Sequence, residues 1–565
     1  MTPARVIGGA ALVLALGVGL VAWRVSLLPA PLPPAARPTG LPEVRVAYHI
    51  HTNRSDGTGT VDEIASAAAD AGLDVVILTD HGDGTRQPIP PHRVGGVLVI
   101  EGVEISSWAG HYVALGARAS PFPLGGVPET VVDDVARLGG YGIVAHPGSA
   151  KDDLKWRDWD APFPAIEWLN ADSEWRDRPR RLWDAVVTYP WAPVATITAL
   201  LDRPVFELAE WDRHAAMRPV TGLAAYDAHA RIGLRGVGEP YDGTVALRAP
   251  GYRSMFRAFS NVVGLDREGW GEDARRDAEA VLGALKAGRA YTVLTGYGDG
   301  RVVTFVASSG GVTAGMGEHL VPSAPVTVTA ETVAPSTATT TLVCDGRPVA
   351  SAAGARLTWT TTSPPGACRL EVALEAAGSH SPWIVTNPIY IRSELRRGDV
   401  SRVLTPQVTV PIAASGERAS WVPEADPGSS ATVEAVTGRA GRLEYRWQLG
   451  PAGSAQFAAI RLPTPSDLAT FDRVVLRAFA DRPMRVWLQL RTPADGGHRW
   501  GTSIYLDETP RQLTLPFARF LSIDRRAGAT VPLDQVTALL LVTDTVHARP
   551  GQHGTVTFDE LWLAR

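Results

Sequence analysis

The sequence predicts an α/β unit followed by all-β sandwiches, and three observations carry that prediction. Val44 to Ile50 and Leu73 to Leu78 are β-type runs joined by a helical stretch, and each closes on polar residues. From about residue 301 the chain changes to short Val- and Thr-rich runs broken by Gly, Ser and Pro, which is sandwich composition. Beyond residue 400, FDRVVLRAFA, MRVWLQLRT and QVTALLLVTD alternate apolar and polar positions with the period of strands.

The first strand ends on His49 and His51, which share a face because strand side chains alternate with period 2. Asp56 follows in a loop of Ser, Gly and Thr. Thr60 and Glu63 form a T-x-x-E capping box that starts a helix through about Ala71, and Gly72 ends it. Leu73 to Leu78 reads as a buried parallel strand closing on Thr79, Asp80 and His81. Both strands therefore deliver polar residues to one rim, where α/β sheets and barrels keep their sites. An isolated HxH is usually a pair of ordinary histidines, but that reading weakens once Asp80 and His81 close the next strand.

His92 lies in a turn-rich loop and is expected to face solvent. Gly96 to Ile100 is a strand leading into EGVEISSWAGHYVALG, where Glu104 and His111 are candidates and Glu101 competes with Glu104. Pro128 to Leu138 reads as an amphipathic helix, Tyr141 to Ala145 as a strand ending on His146 and Pro147, and Ile166 to Asn170 as another strand. Asp172 to Arg218 is an insertion. Its run WRDRPRRLWD reads as a solvated helical face whose Arg residues would bind an anionic group if the insertion covers the site. His214 belongs to the insertion and is not expected to be a ligand. Val220 to Ala225 is a strand ending in Tyr226, Asp227, Ala228 and His229, and two helices and a short strand should complete the unit.

The motifs HxHT, SDG, TDH, G-x-E, AHP and DAH, in this order, resemble the PHP family, named after polymerase and histidinol phosphatase domains. The resemblance covers roughly residues 43 to 300. It implies a distorted β/α barrel holding two or three divalent ions and hydrolysing phosphoesters. It also implies a ligand set: His49, His51, Glu104 and Asp227 on one ion, Glu104 bridging to a second with His111 and His146, and Asp56, His81 and His229 on a third. Glu104 is placed in the G-x-E turn. Glu167 and Asn170 are supporting residues in this pattern, and Asp80 orients an imidazole. Asp80 and His229 are thus the candidates for catalytic roles.

Imidazole and carboxylate without thiolate suit Zn, Mn or Fe. The expected reaction is hydrolysis by metal-activated water, since no nucleophile elbow or P-loop is present. The segment Asn387, Pro388, Ile389 and Tyr390 looks most like the CehA/McbA-type members, which include carbamate and aryl-ester hydrolases. Phosphoester and carboxylic-type ester substrates both stay open.

At 565 residues the chain has room for about two to four domains. A net charge of -5 without a basic block argues against nucleic acid as a partner. Val6 to Trp23 is apolar and is followed by Arg24 and a Pro-rich stretch to Pro42, so residues 1–27 are expected to be an export signal or membrane anchor and 28–42 a linker. The remainder would lie outside the cytoplasm, anchored or secreted. Only Cys344 and Cys368 are present; a structural disulfide is expected, with two buried thiols as the alternative.

Residues 301–395 would form an immunoglobulin-like sandwich packed on the α/β unit. Residues 400–565 resemble the jelly-roll folds of carbohydrate-binding modules. Trp487, Trp500 and Tyr505 would there either stack on sugar rings or fill the core. The rival to a hydrolase is a cell-surface glycan-binding protein whose α/β unit is idle. A third reading makes the metals purely structural.

Overall fold

The computed structural model describes residues 3–28, 31–32, 43–176, 179–232, 247–266, 268–374, 382–393, 409–412, 415–451, 453–493, 497–524 and 530–565. It divides into two compact units. One comprises residues 1–82, 87–118 and 131–400; the other comprises 401–565 with the short segments 83–86 and 119–130.

The first unit is a mixed α/β region. Strand Glu43–Ile50 lies parallel to Val75–Leu78, which lies parallel to Val97–Ser107. The helix between the first two strands, Val61–Asp70, starts on the predicted capping box: Thr60 accepts from Glu63 N and the Glu63 side chain accepts from Thr60 N. It ends at Gly72, whose φ of 75° is the left-handed turn that a residue with a Cβ rarely adopts. The sheet continues through Gly110–Leu115, Tyr141–Val144, Ala165–Asn170 and Thr221–Ala225, the last two parallel. Beyond that last strand the chain returns to the first one. Tyr226 N donates to Tyr48 O, His51 N to Ala228 O, and Ala228 N to His49 O. This return sets Asp227 and His229 beside His49 and His51.

The same 16-stranded sheet extends on its other side through Ser260–Gly264 and Ala290–Val293 to Ile384–Thr386, in the segment expected to be a separate sandwich. Arg301–Ser309, Val312–Ala314, Val326–Val333 and Arg356–Thr361 form a separate four-stranded sheet. Cys344 and Cys368 face each other across paired strands and are joined by a disulfide. Asn387 fastens this segment to the α/β region: its Oδ1 accepts from Gly222 N (2.7 Å) and its Nδ2 donates to Gly222 O and Ala290 O. The Tyr390 hydroxyl bonds both Val220 N and Val220 O. The Asn-Pro-Ile-Tyr segment thus pins the strand that leads to Asp227.

The N-terminal apolar segment forms the helix Pro3–Ser26. Among the described residues, however, no helix is long and apolar enough to cross a membrane, which corrects the expected signal anchor and the expected membrane partner. Gly8, Gly9, Gly17 and Gly19 dilute its apolar surface, and Arg24 at its end pairs with Asp184 of helix Pro179–Thr188 at 2.8 Å. Most of the expected Pro-rich linker, and the side chains of Arg176, Arg178, Arg180 and Arg181 expected to face an anion, lie outside the described residues.

The second unit is two antiparallel six-stranded sheets around one apolar core. Trp500 belongs to that core and is 3% exposed. Trp487 alternates with the core residues Val486 and Leu488, so it points from the opposite face of its strand, yet it is 0% exposed, with its ring 5.1 Å from His547. Tyr505 is half-buried, 6.2 Å from Phe122 of the 119–130 segment. Neither tryptophan is open to a sugar ring.

Candidate metal centre

Every residue that the resemblance implies as a ligand reaches one cluster of overlapping donor groups. Four overlapping groups have donor atoms close enough to share an ion: His51, Asp56, His81 and His229; His49, His146 and Asp227; His49, His51 and Glu104; and His81, Glu104 and His111. His92, half-exposed on the short strand His92–Val94, belongs to none of them. His214 is buried against Trp159 and Phe163 and is also outside them.

Glu104 is the centre. Its Oε1 lies 2.8 Å from both His111 Nδ1 and His146 Nε2. Its Oε2 lies 3.2 Å from His51 Nε2 and His81 Nδ1, and 3.4 Å from His49 Nε2. Glu101 is turned away, accepting from Arg54 Nη1 (2.5 Å) and Ile89 N. Glu104 does not occupy the expected turn. The strand runs on as Val97–Ser107 and pairs with Gly110–Leu115, so Glu104 and Ser106 share a face by alternation. Ser106 Oγ lies 3.2 Å from His111 Nε2, a contact the sequence reading missed although the i, i+2 spacing announces it.

The arrangement of imidazoles departs from strict alternation. His49 has φ 64°, and the register with Val75–Leu78 breaks between Tyr48 and Ile50. His146 (φ 29°) and Asp227 (φ 47°) are also left-handed. Such backbone is sparsely populated for residues with a Cβ and gathers at functional sites. The groupings keep Asp56, His81 and His229 together and His49 with His51 and Glu104; they add His51 to the first set and also place His146 with His49 and Asp227.

The imidazoles are oriented by Glu167 and by backbone. His49 Nδ1 donates to Glu167 Oε1 (2.6 Å), leaving Nε2 toward Glu104 and Asp227. His146 Nδ1 lies 3.1 Å from Leu154 O, and His229 Nδ1 lies 2.9 Å from Asp227 O. Asp80, expected to orient an imidazole, instead accepts from Thr52 N (2.7 Å), Thr52 Oγ1 (2.8 Å) and Ser55 Oγ (2.6 Å). Its carboxylate is taken up in folding the loop that carries Asp56, and it reaches His51 only through Ser55, whose Oγ lies 3.4 Å from His51 Nδ1.

Burial lifts the Asp56 carboxyl, but the His229 hydrogen bond and the charges of His229, His51 and His81 bring it down to about 2. Burial likewise opposes ionisation of Glu104 and Asp227, and the surrounding imidazoles hold both well below the usual range. Burial pushes His49, His51 and His146 down, yet the carboxylates outweigh it; His51 sits at about 10. His81 is the exception, lowered to about 4 by burial with His51 and His111 against the pull of Glu104 and Asp56.

The donor atoms fit a cation. His49 Nε2, His51 Nε2, Asp56 Oδ1 and Glu104 Oε2 are buried with no hydrogen-bond partner. Buried polar atoms are almost always satisfied, so the orphans on His49, His51 and Glu104, which group together, and on Asp56, which groups with His51, His81 and His229, mark candidate ion-binding positions. Nitrogen and oxygen donors without thiolate suit a divalent first-row ion.

No protein-family model matches the chain, and no curated protein matches it. Among solved structures, a two-domain protein from Bacteroides vulgatus containing a predicted PHP-like metal-dependent phosphoesterase aligns over 63% of this chain and 99% of that one, at 13% identity and a TM-score of 0.26. The family 11 carbohydrate-binding module of Clostridium thermocellum aligns over 26% of this chain and 88% of that one, at 15% identity and a TM-score of 0.22. At scores this low neither likeness carries weight, and the site is read from its own residues.

Proposed function

We propose that this chain is a metal-dependent hydrolase of the PHP type, with strands from Glu43 to Gly264 forming its distorted barrel, and that it cleaves phosphoesters or related esters and carbamates. The observation that carries this reading is the set of overlapping His and carboxylate groups whose donor atoms lie close enough to share an ion, with buried atoms of His49, His51, Asp56 and Glu104 among them that have no hydrogen-bond partner. Bound divalent ions would supply Lewis acidity and bring the pKa of a water from 15.7 to about 7.

The chain's own residues set the direction of approach. The side chains of Asp56, His81 and His229 are 17–19% exposed, whereas those of His49, His51 and Glu104 are at most 1% exposed. Substrate therefore meets the cluster at the Asp56, His81 and His229 side. His229 Nδ1 lies against the Asp227 carbonyl, so Nε2, 3.2 Å from Asp56 Oδ2, is the nitrogen placed to ligate an ion beside Asp56. The disulfide supports a non-reducing compartment for this chemistry.

The test is metal content of the dialysed full chain together with turnover of an aryl phosphate and an aryl carboxylic ester, for wild type and Asp227→Asn. Asn keeps the left-handed backbone accessible. The reading requires two or more ions per chain and turnover that falls by at least about 100-fold in the variant, the upper end of what even indirect partners of a metal site cost. Full metal occupancy without turnover of either ester would contradict it.

A further inference from the structure

We propose that Glu167 and Asn170 are positioning residues that set the occupancy of one cation position, that of His49, His146 and Asp227, independently of the position formed by His51, Asp56, His81 and His229. This rests on the metal-dependent reading above.

The three donors of the first group are the ones in left-handed backbone, at φ 64°, 29° and 47°. Such conformations persist only where surrounding contacts over-determine them. Beside the backbone bonds of the strand return, one strand supplies side-chain contacts to all three. Glu167, 0% exposed, accepts at Oε1 from His49 Nδ1 (2.6 Å) and at Oε2 from His146 N (2.7 Å) and Asn170 Nδ2 (2.8 Å). Asn170 Nδ2 also lies 3.4 Å from Asp227 Oδ2, while its Oδ1 accepts from Ser173 N. A ring, a backbone N–H and a carboxylate, one from each left-handed residue, are thus tied to a single pair.

Strict alternation would send positions 167 and 170 to opposite faces. The register between Ala165–Asn170 and Thr221–Ala225 breaks between Glu167 and Leu169, and that irregularity brings both side chains to the same centre. The second group has a different support. Its loop hangs on Asp80 through Thr52 and Ser55, and among the described residues no hydrogen bond joins Asp80 to Glu167 or Asn170.

Glu167→Gln discriminates because it is isosteric. An amide can present its oxygen to His49 or to His146 N–H but not to both. Turning its NH2 toward His49 forces the imidazole proton onto Nε2, the nitrogen needed for ligation; turning it toward His146 sets two donors against each other.

The experiment is a cobalt(II) titration of the metal-stripped full chain, followed by equilibrium dialysis and visible absorption, for wild type, Glu167→Gln and Asp80→Asn. In Glu167→Gln one cobalt per chain should bind about 10- to 100-fold more weakly with the others unchanged, and Asp80→Asn should weaken a different one. If Glu167→Gln does not fold, by circular dichroism, Asn170→Ala serves in its place and should weaken the same cobalt. Weakening of the same cobalt by both Glu167→Gln and Asp80→Asn, or unchanged binding in folded Glu167→Gln, overturns the proposal. A wild type that takes up no cobalt overturns the metal-dependent reading itself, and this inference with it.

Discussion

Two regions of this molecule bury titratable side chains, and they resolve the cost in opposite ways. In the metal centre, burial pushes Asp56, Glu104 and Asp227 up and His49, His51 and His146 down, and opposite charges reverse every one of those shifts. In the C-terminal sandwich burial wins: it lifts the Asp544 carboxyl to about 6 and lowers the His547 imidazole to about 3. One region keeps charged groups together with donor atoms to spare. The other lets burial move Asp544 and His547 toward their neutral forms. A cluster whose charges are held against burial is a candidate for a cation; groups that burial moves toward neutrality are not.

The largest effect that can break this contrast is at Glu104. Glu104→Ala removes the carboxylate that five imidazoles face. It should cost more than one ion per chain and lower turnover by on the order of 1000-fold or more, beyond the 10- to 100-fold of an indirect partner. Metal analysis and steady-state kinetics check it; a variant that keeps its full metal content shows that Glu104 is not the bridge.

Next in size is the sandwich core. Trp500→Ala should destabilise the C-terminal unit by about 3–5 kcal/mol in urea melts, as loss of a buried aromatic does, and the metal content should not change.

A smaller, pH-dependent effect sharpens the comparison. The raised Asp544 pKa contributes stability that is full below its unfolded value, near 4, and is lost as pH rises through about 6. The lowered His547 pKa contributes stability that is full above about 6.5 and is lost as pH falls through about 3. Between pH 4 and 6 the two oppose each other. Asp544→Asn leaves the His547 contribution alone, so relative to wild type the sandwich should lose up to about 3 kcal/mol more on going from pH 6.5 to 4. Urea midpoints at the two pH values measure it, and parallel pH profiles would show that Asp544 titrates normally.

The smallest effect belongs to Tyr505→Ala. Its half-buried ring should cost about 1 kcal/mol of stability at Phe122 and leave turnover unchanged.

Most of the motif residues were legible because they lie at or beside strand ends, where alternation and order along the chain place them. Three features were not. The left-handed backbone at His49, His146 and Asp227 belongs to residue types that usually avoid it, so only the folded strand return reveals it. Glu104 was expected in a turn because Gly102 precedes it, but the strand continues through Gly102 into a hairpin. Asp80 sits beside His81 in sequence, yet the nearby Thr52 and Ser55 claim its oxygens. The apolar N-terminal segment misled because composition reports hydrophobicity, while membrane crossing depends on helix length and apolarity together. The disulfide, by contrast, was readable from two cysteines in one β-rich segment.

The central claim, that the orphaned donors of His49, His51, Asp56 and Glu104 mark a multinuclear metal centre, is tested most directly by anomalous X-ray diffraction from crystals of the metal-loaded chain. The account predicts anomalous peaks on both sides of Glu104, one of them about 2.0–2.2 Å from His49 Nε2 and an Asp227 oxygen. A cluster without anomalous scattering, its imidazoles bonded only to the carboxylates around them, would contradict it.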